Sequence, residues 1–148
     1  MVDLKDLTRR TWEEMLPAAD LDALELVIDP DCVNHDTAPG VAQGFAGVRQ
    51  MVTMLHAAFS EQRYEVHHVI GEGETVVIHA TMHGRHTGEF LGVPPTGRDV
   101  ALRTMHIVRY RDGREAETWA LQDRMGLMQQ LGVISDGPPA QRPEAVSA

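Results

Sequence analysis

The chain has 148 residues, 43% of them hydrophobic and 24% charged, a balance typical of one globular domain rather than of a disordered or fibrous protein. Its 22 acidic and 13 basic residues give a formal net charge of -9, which repels phosphate backbones and anionic membranes, so nucleic-acid and membrane binding are not expected. Cys32 is the single cysteine, and the N-terminal residues lack a secretory signal pattern, so we expect a cytoplasmic protein.

The N-terminal residues predict a helical hairpin. Apolar residues recur at helical spacing from Leu4 to Leu16, and Pro17 ends that helix. Asp20 is placed to cap a second helix, which Asp29-Pro30 breaks.

The remaining chain predicts one long helix followed by a sheet. Residues 31–36 are expected to be extended, and a helix from Phe45 to Phe59 presents one apolar stripe. After Ser60 the apolar residues alternate with polar ones, which predicts strands at residues 62–71, 74–86, 98–111 and 114–122. Because the helices come first and the strands later, this order favours an α+β fold with an antiparallel meander over a parallel βαβ sheet.

A short helix is predicted at the end of the folded region. Asp123 is placed to cap it, and Gly132 stops it after Leu131. From Ser135 the chain is rich in Pro, Ala and Gly and is expected to form a disordered tail. No repeat or linker divides residues 1–134, so one domain is expected there.

The turn between the last two strands decides which side chains share a face. A two-residue loop at Asp112-Gly113 sets Arg111 opposite Arg114, which is an unfavourable pair of like charges. A three-residue loop instead pairs Tyr110 with Arg114, and we favour this register.

The favoured register separates an inner face from an outer face. The inner face contains Leu102, Thr104, His106, Val108, Ala116, Thr118, Ala120 and Gln122. The outer face contains Arg103, Arg109, Glu115, Glu117 and Trp119. The first set is mostly apolar with a few polar groups, which is typical of a small-molecule pocket. A register slipped by one residue would turn Trp119 and Asp123 into that pocket.

The segment GRHTGEFLGVPPTGR at residues 84–98 resembles a known family. With Asn34-His35-Asp36, the turn at residues 109–113, Trp119, Asp123 and the ending LMQQLG, the chain is similar to SnoaL-like polyketide cyclases over residues 5–134. The resemblance implies an NTF2-like cone, in which a curved antiparallel sheet wraps around N-terminal helices and encloses a pocket. It also implies chemistry without a cofactor and a homodimer or homotetramer assembled through sheet surfaces.

The cyclases that name this family close a ring of an aromatic polyketide ester by an intramolecular aldol reaction. In their pattern a histidine on the third long strand faces an aspartate on the fourth. His106 matches the histidine, and the resemblance implies that it is the catalytic residue. Ala120 stands where the aspartate is expected, so the family's carboxylate is missing from that position.

Further residues are predicted to bind substrate. Asn34 matches a pocket asparagine of the family, although an asparagine in this stretch is equally a turn former. His35 and Asp36 are neighbours, so only one of them is expected to face the pocket, and we assign His35. His86 and Phe90 are expected at the pocket mouth. The predicted set is completed by Thr104, Ala120 and Gln122.

The eight histidines suggest acid–base or metal chemistry. His79 and His83 are four residues apart on a strand, about 13 Å along it, which is too far for one metal ion. A composite site using His86 or His35 has no recognised ligand spacing, so no metal is expected. Asp123 is better explained as a helix cap than as a replacement carboxylate, and Trp119 as an interface residue.

The leading hypothesis is a cofactor-independent enzyme that acts on a polyketide or similar hydrophobic carbonyl compound. His106 is its best-placed general acid or base, although a hydrogen-bonded core histidine is the competing interpretation. The same cone could support a related proton transfer, a hydration or an oxygenation. A protein that binds a small hydrophobic ligand without transforming it is the alternative from a different class.

Overall fold

The computed structural model describes residues 2–135 as helices packed on one curved sheet. The helices are α1 (Leu4–Arg10), α2 (Leu21–Val27), α3 (Gly44–Ala58) and α4 (Arg124–Gln130), and a π-helical turn (Thr11–Met15) extends α1. The strands are β1 (Ile28–Asn34), β2 (Phe59–Glu72), β3 (Thr75–His86), β4 (Asp99–Arg111) and β5 (Arg114–Gln122). Apart from Ser135 itself, the tail predicted from that residue lies outside the described residues.

The N-terminal hairpin forms as its capping and breaking residues predict. The Asp20 carboxylate accepts a hydrogen bond from the Ala23 backbone N–H at 3.1 Å and caps α2. The chain passes directly from α2 into β1 at Ile28, so Asp29-Pro30 lies inside a strand instead of separating two elements. Because β1 is at the sheet edge, this proline interrupts no central ladder.

The sheet has the strand order β1-β5-β4-β3-β2. Strands β2 to β5 form the predicted antiparallel meander, so the α+β prediction is confirmed. The edge strand β1 runs parallel to β5, which the sequence did not predict. The N-terminal part of the chain therefore returns to pair with the last strand.

The β4–β5 turn has two residues, so the predicted three-residue loop is wrong. Asp112 and Gly113 both have positive φ, 53° and 76°, the backbone that matches the twist of paired strands. Arg111 lies opposite Arg114, and the like charges are relieved because Arg111 also bonds Asp29 at 3.3 Å.

A bulge in β5 restores the predicted inner face further along the hairpin. Tyr110 pairs with Glu115 and Arg109 with Glu117, so Ala116 has no partner on β4. Beyond the bulge His106 lies opposite Ala120, on the inner face as predicted. Before the bulge Glu115 shares the inner face with the buried Tyr110, and its predicted outer position is wrong.

Four apolar clusters of residues 2–135 pack the helices on the sheet, and two of them are larger than the rest. One contains Phe59, Met82, Leu102, Leu127 and Leu131 and joins α4 to the sheet. The other contains Leu24, Ile28, Cys32, Phe45 and Val52 and joins α2, α3 and β1. None of the helices in residues 2–135 is long and apolar enough to cross a membrane.

Asp123 caps α4 as predicted, and this role is testable. Its carboxylate accepts the Gly126 N–H at 2.9 Å and bonds Arg103 at 3.0 Å. We expect Asp123→Ala to lower the unfolding free energy by about 1 kcal/mol, because a helix N-cap is lost. Asp123→Ser, which keeps a capping oxygen, should recover most of that loss in urea denaturation. Equal losses for both variants would contradict the capping role.

Candidate active site

A cavity of about 460 Å³ lies between the inner face of the sheet and the helices. Its volume is in the range of small-molecule sites. Most of its wall is apolar, and several polar side chains also line it. The polar lining residues include Asn34, Asp36, Tyr64, Thr104, His106, Glu115, Thr118 and Gln122.

His106 projects from the middle of β4 into this cavity. Its ring meets the edge of Trp12 at a centroid distance of 4.6 Å. The buried Nε2 has no hydrogen-bond partner among residues 2–135. Burial lowers the pKa of His106 to about 4, so the imidazole is neutral at pH 7. A neutral imidazole of this kind can accept a proton at one ring nitrogen and donate a hydrogen bond from the other.

Asp36 is a carboxylate near His106 that comes from outside the β4–β5 hairpin. It follows β1 and accepts the Ala120 N–H at 2.8 Å, while Asn34 holds the Asp36 N–H at 2.9 Å. Because Ala120 is the cross-strand neighbour of His106, this bond fixes Asp36 beside the histidine. Burial lowers the pKa of His106 and is the larger effect, whereas the negative charge of Asp36 raises it.

His35 lies on the outer face of the sheet instead of in the pocket. Its ring stacks on Trp119 at 4.6 Å, and its Nε2 bonds Glu117 at 2.7 Å. Alternation along the extended chain turns Asn34 and Asp36 inward and the residue between them outward. The assignment of His35 to the pocket is therefore not supported, whereas the outer position of Trp119 matches the favoured register.

His86 and Phe90 do not form the mouth of the cavity. His86 is fully buried and Phe90 is 8% exposed, and both rings pack on Phe59. The Nδ1 of His86 bonds Thr96 at 3.0 Å, which closes the loop on itself. This loop supports the core below the cavity, because its aromatic side chains fold inward.

The other predicted binding residues do line the cavity, namely Asn34, Thr104, Ala120 and Gln122. The oxygen of Asn34 is used in the local turn, but its amide nitrogen makes no hydrogen bond within residues 2–135. Gln122 lies opposite Thr104 at the end of β5. These amides and hydroxyls can orient the oxygen atoms of a ligand.

Tyr64 and Trp12 are cavity residues that the sequence interpretation missed. The Tyr64 ring stands edge-on to Trp12 at 5.4 Å. Burial raises the pKa of Tyr64 to about 12, so its hydroxyl stays protonated. That hydroxyl makes no hydrogen bond within residues 2–135 and can donate one to a ligand oxygen. The β2–β3 register, which pairs Tyr64 with Met82, is the information needed to find it.

Several histidines lie on the outer face, away from the cavity. His68 and His79 stack with their Nδ1 atoms 2.9 Å apart, and His83 bonds Glu65 at 3.0 Å. Within residues 2–135, no group of three or more His, Cys, Asp or Glu side chains is arranged to hold a metal ion.

The family model of the SnoaL-like polyketide cyclases matches residues 6–131. The chain belongs to this family. It is 32% identical to nogalonic acid methyl ester cyclase of Streptomyces nogalater over 113 residues, 75% of this chain and 84% of that protein. It is 29% identical to aklanonic acid methyl ester cyclase DnrD of Streptomyces peucetius over 143 residues, covering 93% and 97% of the two chains.

A solved relative confirms the architecture of this SnoaL-like chain. The crystal structure of IdmH from Streptomyces antibioticus superposes with a TM-score of 0.77 at 29% identity, covering 88% of this chain and 99% of IdmH. The expected NTF2-like arrangement of a curved sheet around helices is thereby confirmed.

The unusual protonation of His106 is directly measurable. We expect its ring to titrate near pH 4, because burial disfavours the imidazolium. Asp36→Asn removes an opposing negative charge and should lower the pKa further, whereas Asp22→Asn on the exposed side of α2 should leave it unchanged. Two-dimensional NMR of the ring protons, assigned with His106→Gln, gives these values. A midpoint near 6.5 would contradict the buried, unpaired geometry.

Proposed function

We propose that this SnoaL-like protein closes a ring in a polyketide ester or similar hydrophobic carbonyl compound by an intramolecular aldol reaction, without a cofactor. The observation that carries the proposal is a neutral imidazole inside the cavity that makes no hydrogen bond within residues 2–135, with the Asp36 carboxylate at Ala120. The two methyl ester cyclases among its relatives support the same class of substrate.

In the proposed reaction His106 acts first as a base and then as an acid. It accepts a proton from the carbon next to a substrate carbonyl, leaving an enolate whose oxygen receives a hydrogen bond from Tyr64. The enolate carbon attacks a second carbonyl of the same molecule and forms the ring bond. His106 then returns the proton to the new alkoxide, so protons and electrons balance without a further reactant.

A histidine with a pKa of about 4 is a weak base, and Asp36 makes it a stronger one. Its negative charge already favours the imidazolium, and the charge that develops on the enolate favours it further in the transition state. Asp36 thus supplies at the cavity the carboxylate that the family resemblance places at position 120. We propose this as the compensation for Ala120.

Substitution of His106 tests the catalytic assignment. We expect His106→Gln to lower kcat for nogalonic or aklanonic acid methyl ester by about 100-fold or more, because acid–base catalysis is lost. His83→Gln, on the outer face, is the matched control and should leave kcat unchanged. Turnover is followed by mass spectrometry of the products. Full activity of the His106→Gln variant would contradict the catalytic role of His106. Substrate recovered unaltered with the wild-type protein would favour the ligand-binding alternative.

Moving the carboxylate tests the role of Asp36. Asp36→Asn keeps an oxygen for the Ala120 N–H but removes the charge, and we expect it to lower kcat roughly tenfold. Adding Ala120→Asp should recover part of the loss, because position 120 directly faces His106. The kcat values of the wild type, both single variants and the double variant show whether the Asp36 charge contributes to catalysis. If Asp36→Asn is as active as the wild type, Asp36 has only a structural role.

We also propose that two copies of the chain associate through the outer face of the sheet, as a homodimer or as a unit of a homotetramer. This face exposes apolar side chains, with Met105 49%, Ile107 40% and Leu121 78% exposed. The stacked pair of Trp119 and His35 lies beside them. A contiguous apolar face with an aromatic residue is typical of subunit interfaces.

A charge placed on this face should dissociate the oligomer. Ile107→Glu is expected to convert the wild-type dimer or tetramer to a monomer, because the carboxylate would be buried without a partner. Leu26→Glu is the matched control, since Leu26 is 70% exposed on α2. Light scattering coupled to size-exclusion chromatography gives the mass of each variant. A monomeric wild type would contradict this part of the proposal.

A further inference from the structure

Because of the bulge at Ala116, Glu115 lines the end of the cavity nearest the β4–β5 turn, its inner end. It pairs with Tyr110 on β4 and with Ile28 on β1, and it lines the cavity wall. Tyr110 and His106 are four residues apart on β4, which corresponds to about 13 Å of strand. Glu115 is therefore about 13 Å along the strand from His106. A ligand that extends along the cavity can reach both residues.

The carboxyl of Glu115 has no partner in the described chain. No hydrogen bond to its side chain is present in residues 2–135, and no cation within that range contributes to its pKa, which burial alone raises to about 7. Arg111, which follows Tyr110 on β4, bonds Asp29. Tyr110 is satisfied by Thr8 at 2.7 Å.

We propose that Glu115 is a second ligand-binding point, which receives a hydroxyl group carried by an otherwise hydrophobic ligand. Glu115 is half-buried and its side chain lines a mostly apolar cavity, where a carboxyl group is unfavourable unless a hydrogen-bond donor reaches it. Residues 2–135 supply no donor to Glu115. The donor is therefore expected to come from a ligand in the cavity. A hydroxyl suits this wall better than an ammonium group, which loses far more hydration on entry.

This inference rests on the proposed function in taking the same cavity as the ligand site, and it adds an orientation. A ligand anchored by its hydroxyl at Glu115 presents its opposite end to His106 and Asp36. Glu115 is then a specificity residue that does not touch the reacting atoms. It selects hydrophobic molecules that carry an oxygen substituent at the end remote from the new ring.

A pair of nearly isosteric probes tests the site by binding alone. 2-(Hydroxymethyl)anthraquinone and 2-ethylanthraquinone differ in one hydroxyl group, and quenching of Trp12 fluorescence in the cavity wall reports their affinity. Between the wild type and Glu115→Met, the preference for the hydroxymethyl probe should fall about tenfold, the effect of one buried hydrogen bond to a carboxylate. Glu115→Gln keeps an acceptor oxygen and should be intermediate. Glu25→Met, on the exposed side of α2, should behave as the wild type.

The preference should also depend on pH. The titratable groups that face Glu115 are Tyr110 and Cys32, and both have raised pKa values, about 11 for Cys32, so they stay neutral. Asp29, on β1, has a lowered pKa and stays ionised. From pH 5.5 to pH 8 only Glu115 in this group changes charge, and the ionised form accepts the stronger hydrogen bond. The hydroxyl preference of the wild type should rise over this range, and that of Glu115→Met should stay constant.

A stability measurement checks the same group without a ligand. A pKa raised by folding contributes stability at low pH that is lost as the pH rises from about 4.5 through 7. The Tm of the wild type should therefore fall relative to that of Glu115→Met between pH 5 and pH 8. Parallel Tm curves would show that Glu115 is not buried as described.

The outcomes separate this inference from the proposed function. Equal probe preference in the wild type and in Glu115→Met, or no binding of the hydroxymethyl probe to the wild type, overturns the Glu115 site. His106→Gln should retain the wild-type preference, since it leaves the inner end of the cavity intact. A preserved preference in a protein that turns over no ester would support the Glu115 site and reject the cyclase reaction.

Discussion

The pairing of β4 with β5 is the constraint on which the rest of the site depends. A two-residue turn sets one register at the start of the hairpin, and the bulge at Ala116 changes it. Because of that one extra residue, His106 faces Ala120 in the middle of the cavity and Glu115 faces inward at its end. A hairpin without the bulge would turn one of these two positions outward.

Desolvation is the dominant electrostatic effect in the cavity. It lowers the pKa of His106 and raises those of Tyr64 and Glu115, and each shift favours the uncharged form. The chain as a whole carries a formal net charge of -9, yet burial shifts these three cavity side chains toward their uncharged forms. Such an interior suits a hydrophobic ligand whose few oxygen atoms each need one hydrogen-bond partner.

The sequence predicted the element order, the caps at Asp20 and Asp123, and the inner position of His106, because these depend on local periodicity and capping chemistry. It did not predict the parallel return of β1 or the inward position of Glu115, because both depend on long-range pairing and on a bulge that no local signal marks. His35 was placed inside and Asp36 left aside, although alternation allows only one of them inside. The choice required the end of β1 to be located on β5.

The parallel pairing of β1 with β5 has a consequence for the folding rate. Ile28 pairs with Glu115 and Asn34 with Thr118, so contacts that complete the site join residues far apart in sequence. Closing such long loops slows folding, whereas the β2–β3–β4 meander requires only short loops. The meander is therefore expected to form early, and the edge strand to dock late. An intermediate without that strand would leave the long edge of β5 exposed, where it can pair with another chain.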